Sequence, residues 1–174
     1  MQQYLFSQVF TLPIKPPAMP EYIHANTTEQ YQIAANLFRE YALWLNIDLG
    51  FQNFNAELEN LKDMYAHPRG GIIIAREAGE DCGCVAIRKI DPEIAELKRM
   101  YVKPAARKMG IGHELLQRAI RMAKDLGYKK IRLDTLDSMV SAMNLYREHG
   151  FYEIPAYYFN PEKNAVYFEK EIGG

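Results

Sequence analysis

The stretch ELKRMYVKPAARKMGIGHELLQRAIRMAKDLG, residues 96–127, predicts a strand, a basic loop and a helix in immediate succession. The strand is expected to end at Pro104, because proline cannot continue a hydrogen-bonded ladder. The helix is expected to stop at Gly127, and its apolar residues recur on one face: Ile111, Leu115, Leu116, Ala119, Ile120 and Ala123. The sequence RKMGIG, residues 107–112, therefore joins one sheet strand to one amphipathic helix.

This loop has the chemistry of a phosphate site. The first turn of a helix presents backbone N–H groups without helical partners and carries partial positive charge. Gly110 and Gly112 would let an anion approach that backbone, and Lys103, Arg107 and Lys108 add full charges. The spacing matches neither a Walker A loop nor a dinucleotide-binding fingerprint. A basic loop that needs glycine only for its dihedral angles remains the alternative.

The rest of the chain alternates helices and strands. An amphipathic helix is predicted over residues 26–46, capped by Asn26 or Thr27, and a shorter one over residues 54–66. Another helix is predicted over residues 137–151, capped by Asp137 or Ser138 and closed by Gly150. Including the strand before the basic loop, the strands are predicted within residues 70–77, 82–90, 93–104, 129–135, 151–159 and 164–172.

Composition is that of an ordinary globular protein, with 174 residues, 48% hydrophobic and 25% charged. A net charge of −1 argues against a protein that coats nucleic acid. No apolar run is long enough to span a bilayer, and the N-terminal sequence lacks the features of a signal peptide. We therefore expect a cytoplasmic protein with no nucleic-acid or membrane partner.

Two further predictions concern the cysteines and the N-terminus. Cys82 and Cys84 lie two apart on a predicted strand, which would place them on the same face as small, half-buried residues and not as metal ligands. Residues 1–20 carry four prolines and are predicted to form an extended arm, with one domain over 21–174. The arm would either pack on a partner chain, most simply in a homodimer, or form a mobile tail.

The sequence resembles the GNAT superfamily of acyl-CoA-dependent N-acyltransferases from about residue 22 to 171. Its pyrophosphate loop has the pattern Arg/Gln-x-x-Gly-x-Gly/Ala, which Arg107, Gly110 and Gly112 match. ELKRMYVKP at 96–104 is similar to the preceding strand, and LYREHGF at 145–151 to the end of a later helix. Met139 departs from the pattern, because many members have Asn there.

The resemblance implies an α/β GNAT-like fold. Its central mixed, mostly antiparallel sheet would have six to seven strands flanked by about four helices, with two parallel strands splayed at the cofactor cleft. Acetyl-CoA would be the acyl donor, and no metal would be needed. The residues implied in binding it are Met100, Tyr101 and Val102 on the strand and Arg107, Lys108, Met109, Gly110, Ile111, Gly112 and His113 in the loop.

The same resemblance implies two catalytic roles. A lysine-like amine has a pKa of about 10.4, so the acceptor must lose a proton before it attacks. Glu96 is the candidate base, with a solvated strand residue as the alternative, and Tyr146 is the candidate acid for the leaving thiolate, with a packing role as the alternative.

The acceptor pocket would be walled by aromatic residues: Phe51, Phe54, Tyr157 and Tyr158. The predicted function is direct acetyl transfer, in a ternary complex, to a primary amine of a small molecule or of a protein. The alternative is a non-catalytic module that binds acyl-CoA.

Overall fold

A computed structural model describes residues 19–173 of the protein, so most of the predicted N-terminal arm lies outside the described residues. One sheet is formed by β1 Glu21–His24, β2 Gly71–Glu77, β3 Glu80–Lys89, β4 Ile94–Val102, β5 Lys130–Leu136, β6 Tyr152–Ile154 and β7 Ala165–Glu171. The strands lie in the order β1-β2-β3-β4-β5-β7-β6, and every neighbouring pair is antiparallel except β4 and β5. The predicted fold class is confirmed, and β1 is a strand that the sequence pattern did not predict.

The α-helices are α1 Thr28–Leu45, α2 Phe54–Glu59, α3 Leu61–Tyr65, α4 Ile111–Asp125 and α5 Val140–Glu148. The helix predicted over residues 54–66 is broken at Asn60. Its side-chain amide donates to the Ala56 carbonyl at 2.8 Å, which an uninterrupted helix would reserve for the Asn60 N–H. Among residues 19–173, no helix is long and apolar enough to cross a membrane.

The predicted start of α1 and the predicted end of α5 each have a clear physical cause. Thr27 begins α1 with a capping box: its hydroxyl accepts the Gln30 N–H, and the Gln30 side chain accepts the Thr27 N–H, each at 3.2 Å. At the end of α5, the Phe151 N–H reaches the Tyr146 carbonyl at 3.0 Å, and Gly150 takes a φ of 79°. This is the Schellman arrangement that the Gly-Phe pair predicted.

The predicted cap of α5 was wrong. Met139 precedes the helix and provides no side-chain hydrogen bond. Asp137 is held elsewhere, because its N–H donates to the Asn164 carbonyl and its carboxylate accepts the Asn164 amide. The segment before β7 therefore fixes the start of α5 in place of a side-chain cap.

The two faces of the sheet are covered by different helices. One buried cluster lies under α4 and α5, and the other lies under α1 and α3. Cys82 belongs to the first cluster and Cys84 to the second, so the prediction that both share a face was wrong. The pairing register shifts by one residue between Ala75 and Arg76, and this bulge in β3 reverses the side-chain alternation at Cys82.

A second bulge shapes β4. Cys84 pairs with Tyr101 and Ala86 with Lys98, so two residues of β4 lie opposite Val85 alone. Arg99, one of the two, has a φ of 54°, a conformation rare for residues with a side chain. A bulge of this kind bends a strand and increases its twist.

A buried ion pair holds this bulge. The Arg99 guanidinium donates to both carboxylate oxygens of Glu57, at 3.0 Å and 2.5 Å, and the Tyr65 hydroxyl donates at 2.6 Å. Burial opposes ionisation of Glu57, but the bonds from Arg99 and Tyr65 hold the pKa of its carboxyl below the ordinary value. The strained strand is therefore tied to α2 and α3 across the face of the sheet.

Removing only one member of this pair should destabilise the protein strongly. Arg99→Met leaves the Glu57 charge buried without its partner, at a cost of about 3–5 kcal/mol in the free energy of unfolding. The double variant Arg99→Met/Glu57→Gln should recover part of that loss in urea unfolding. A single variant within about 1 kcal/mol of wild type would contradict the role given to the pair.

Candidate active site

The parallel strands β4 and β5 separate soon after they meet. They pair only at Ile94–Lys130, Ala95–Ile131 and Glu96–Arg132, although β4 continues to Val102 and β5 to Leu136. Within the described part of the chain, no strand pairs with the β5-facing side of β4 beyond Glu96. We call this wedge the β4–β5 opening.

Backbone groups of β4 face the opening. The Lys103 N–H donates to the Cys82 carbonyl on β3 at 2.8 Å. Alternate residues of an antiparallel ladder point to opposite sides, so the backbone groups of Val102 and Met100 point away from β3. These are the groups that the sequence analysis expects to bind an extended ligand. Tyr101 is buried under α1, with only 6% of its surface exposed.

The basic loop lies at the end of β4 and opens directly into α4. Gly110 precedes the helix with a φ of 77°, and Lys108 has a φ of 68°. The first helical bond runs from the Glu114 N–H to the Gly110 carbonyl at 3.1 Å, so the N–H groups of residues 111–113 are the ones that α4 itself leaves free. Arg107, Lys108 and Met109 are exposed beside them.

Gly112 is not required by the packing of the protein. A Cβ built there would lie 3.7 Å from Leu145 and 3.9 Å from Met100, which are ordinary contact distances. Its position in α4 also imposes no positive φ. The missing side chain therefore leaves space at the mouth of the opening, and this fits a group that approaches the helix start closely.

Other predicted loop residues have different surroundings. Ile111 is buried in the core, so only its backbone is available. His113 is exposed, and its ring lies 5.3 Å from that of His149. Arg107 donates to the Val102 carbonyl at 3.0 Å, and its guanidinium lies 4.3 Å from the centre of the Trp44 ring. Arg107 therefore contacts both the end of β4 and α1.

Tyr146 projects from α5 into the interior. Its ring packs on Phe151 and Phe168, with centroids 5.9 Å and 6.0 Å away, and 6% of the residue is exposed. Burial, together with Tyr41 and the Asp134 carboxylate, raises the pKa of its hydroxyl, which stays protonated at neutral pH. Tyr41 and Asp134 both line a small cavity of about 50 Å³ in the β4–β5 opening.

A larger cavity of about 890 Å³ lies beside the opening, and Glu96 is one of the residues that line it. Tyr157 and Tyr158, from the β6–β7 connection, form part of its wall, and their role in acceptor binding stays a prediction. Phe54 lies with its ring 4.9 Å from the Arg99 guanidinium, and its role in acceptor binding stays a prediction. The side chain of Phe51 lies outside the described residues. Lys98 and Gln52 border both cavities, which therefore meet at these residues.

Glu96 is buried and held by two side chains, Arg88 and Tyr157. Arg88 donates to its carboxylate twice at 2.7 Å, and the Tyr157 hydroxyl donates at 2.9 Å. Burial opposes ionisation, but Lys98 and Arg88 hold the pKa of the Glu96 carboxyl below its ordinary value. Glu96 is therefore ionised at neutral pH, and as a base it is weaker than a free carboxylate.

Several residues of the two cavities were missed by the sequence analysis. Glu96 and Lys98 stand two apart in a strand whose only other charged residue is Arg99, and this spacing places both side chains on one face. That spacing was a usable signal for a buried charge pair. Arg88 lies directly opposite Glu96 in the sheet register, and Asp134 and Gln52 come from distant segments. Only the three-dimensional pairing reveals those three.

Among residues 19–173, no group of three or more His, Cys, Asp or Glu side chains is placed to hold a metal ion.

Comparison with known proteins agrees with this geometry. A family model described as the acetyltransferase (GNAT) family matches residues 27–151. An uncharacterized N-acetyltransferase of Schizosaccharomyces pombe is 39% identical over 138 residues, which cover 78% of this chain and 85% of the relative.

Solved structures share the fold. A GNAT-family acetyltransferase of Staphylococcus aureus has a TM-score of 0.73 at 23% identity, covering 88% of this chain and 99% of its own. A proposed acetyltransferase from Salmonella typhimurium, solved with its cofactor acetyl-CoA, has a TM-score of 0.67 at 15% identity, covering 90% and 96%. The family match, the relative and the arrangement of the opening agree, and the chain belongs to the acetyltransferase (GNAT) family.

Proposed function

We propose that this acyltransferase moves an acetyl group from acetyl-CoA to a primary amine, directly, in a ternary complex. The observation that carries the proposal is the β4–β5 opening, which leads at one end to the basic loop and meets the 890 Å³ cavity at the other. One elongated donor and one acceptor could therefore enter from different sides and meet where the strands separate. The acetyl-CoA in the Salmonella typhimurium neighbour supports this choice of donor.

The chain offers groups for two parts of the donor, its pyrophosphate and its amide-containing arm. N–H groups of residues 111–113 and the charges of Arg107 and Lys108 would hold the pyrophosphate. The backbone of Met100 and Val102 would pair with the amide-containing arm, because those groups face the opening. Acetyl-CoA supplies the activated acetyl group when it is bound.

The reaction needs one bond made, one bond broken and two proton movements. The acceptor nitrogen bonds to the acetyl carbon as the bond between that carbon and sulfur breaks; nitrogen loses a proton and sulfur gains one. Tyr146 is the proposed donor of the second proton, since its hydroxyl is protonated at neutral pH. Glu96, ionised and weakly basic, is proposed to take the first proton through water.

The acceptor is proposed to be a small molecule. Residues of α2, α3 and the β6–β7 connection form the walls of the 890 Å³ cavity, and Tyr157 and Tyr158 belong to that connection. A protein amine remains the second enzymatic candidate, and a non-catalytic acyl-CoA-binding module is the candidate from another class. Thiol release from acetyl-CoA, measured over a broad panel of amines, separates enzyme from module.

Gly110→Asp should weaken acetyl-CoA binding by about tenfold or more, because it adds a negative charge beside the proposed pyrophosphate site. Wild type is expected to bind in roughly the micromolar range in titration calorimetry. The matched control is Gly127→Asp, at the other end of α4. Gly110 and Gly127 have similar φ values, 77° and 86°, and a Cβ at either meets nothing within 4 Å. Equal affinity for the two folded variants would contradict the pyrophosphate assignment.

Tyr146→Phe should lower kcat by roughly ten- to a thousandfold, because it removes the proposed acid while the ring keeps its packing. Acetyl-CoA affinity and Tm should stay close to wild type. Tyr22→Phe, a partly buried tyrosine of β1 with Arg118 4.4 Å above its ring, is the matched loss of one hydroxyl and should leave kcat unchanged. Wild-type kcat in Tyr146→Phe would mean that Tyr146 only packs and that the proton comes from elsewhere.

A further inference from the structure

We propose that the acceptor is a small amine that also carries a carboxylate close to its amino group, as an α- or β-amino acid does, and that Lys98 binds this carboxylate. The inference rests on the proposed function and names the substrate class for the same cavity. The inference follows from a comparison of the charged groups in the cavity: some already have close ion-pair partners within the protein, and others do not.

The two most buried carboxylates of the acceptor cavity are already engaged. Glu57 accepts two bonds from Arg99 and one from Tyr65, and Glu96 accepts bonds from Arg88 and Tyr157. Their exposed fractions are 1% and 3%. Neither is therefore free to bind a second positive charge on the acceptor without breaking an ion pair inside the protein.

Lys98 is different, because its charge is only loosely matched. The side chain is 5% exposed, and Nζ donates to the neutral Gln52 carbonyl oxygen at 3.0 Å. The nearest ion-pair partner is Asp134, at 3.8 Å, too far for a hydrogen bond. An ammonium group has three N–H donors, so Lys98 retains donors for an anion that enters the cavity.

The rest of the lining adds positive charge. Arg69 and Lys89 line the cavity, and Asp63 is the carboxylate that lines it besides Glu57 and Glu96. Arg88 also lines it, with its guanidinium on Glu96. A polyamine would bring a second cation toward this set, and like charges in a partly desolvated site repel. A carboxylate would instead give Lys98 a hydrogen-bonded anionic partner, which Asp134 at 3.8 Å does not provide.

The position of Lys98 limits the shape of the acceptor. Lys98 borders both the acceptor cavity and the small cavity in the β4–β5 opening, where the amine must meet the donor. A carboxylate on Lys98 therefore lies close to the reacting nitrogen. This favours one or two carbon atoms between amine and carboxylate over a long ω-amino acid.

The test compares acceptors that differ only in the carboxylate. Thiol release from acetyl-CoA is measured with a set of L-α-amino acids, their primary amides and the corresponding decarboxylated amines, together with spermidine. We expect kcat/KM for the best acid to exceed that for its amide by about 10- to 100-fold, the range for a hydrogen bond to a charged group. The amino group of the amide is less basic than that of the acid, so a larger fraction of it is the reactive free base at neutral pH. Amine basicity alone would therefore favour the amide.

Two variants then locate the effect. Lys98→Met should lower kcat/KM for the acid by about 10- to 100-fold more than for its amide, which removes the preference, because any change at Glu96 affects both acceptors alike. The control variant is Lys124→Met, which removes the charge of an exposed lysine on α4 and should keep the preference for the acid over the amide.

Amides, decarboxylated amines or spermidine that react as well as the acids would overturn the inference while leaving the proposed function intact. No thiol release with any amine, despite acetyl-CoA binding, would overturn both. The wild-type comparison decides the matter even if Lys98→Met fails to fold.

Discussion

The separation of β4 from β5 after Glu96 is the constraint on which the rest of the site depends. A bulge at Arg99 bends β4. The buried Glu57 carboxylate fixes this bulge by accepting two hydrogen bonds from the Arg99 guanidinium. Because the sheet does not close there, backbone groups of β4 have no strand partner among residues 19–173, in the middle of a folded domain. Such groups are costly to bury and are well placed to bind a ligand that brings its own amides.

In the proposed function, one strand would thereby serve both substrates. The backbone of Met100 and Val102 faces the proposed donor, while the side chains of Glu96 and Lys98 lie at the acceptor cavity. Two charged residues of β4 form buried ion pairs with residues of other elements: Glu96 with Arg88, and Arg99 with Glu57. This arrangement keeps the carboxylates ionised and leaves Lys98 as the loosely matched charge.

The sequence predicted the parts of the structure that depend on local chemistry. The capping box at Thr27, the Gly-Phe end of α5 and the glycine loop before α4 are each encoded by a few adjacent residues. The sequence did not predict the bulge in β3 that separates Cys82 from Cys84, because it depends on pairing with another strand. Arg88, Asp134 and Gln52 reach the site from distant segments, so no local spacing pointed to them.

Hydrogen exchange tests the central claim most directly, because it reports on backbone amides along the whole chain. The rate is measured residue by residue with and without CoA. The account predicts slower exchange at the amides of Met100 and Val102 and at residues 110–113, with no comparable change in the β2–β3 hairpin. Protection confined to the groove lined by His24, His67 and Arg118, at the other end of α4, with the β4–β5 opening unchanged, would contradict it.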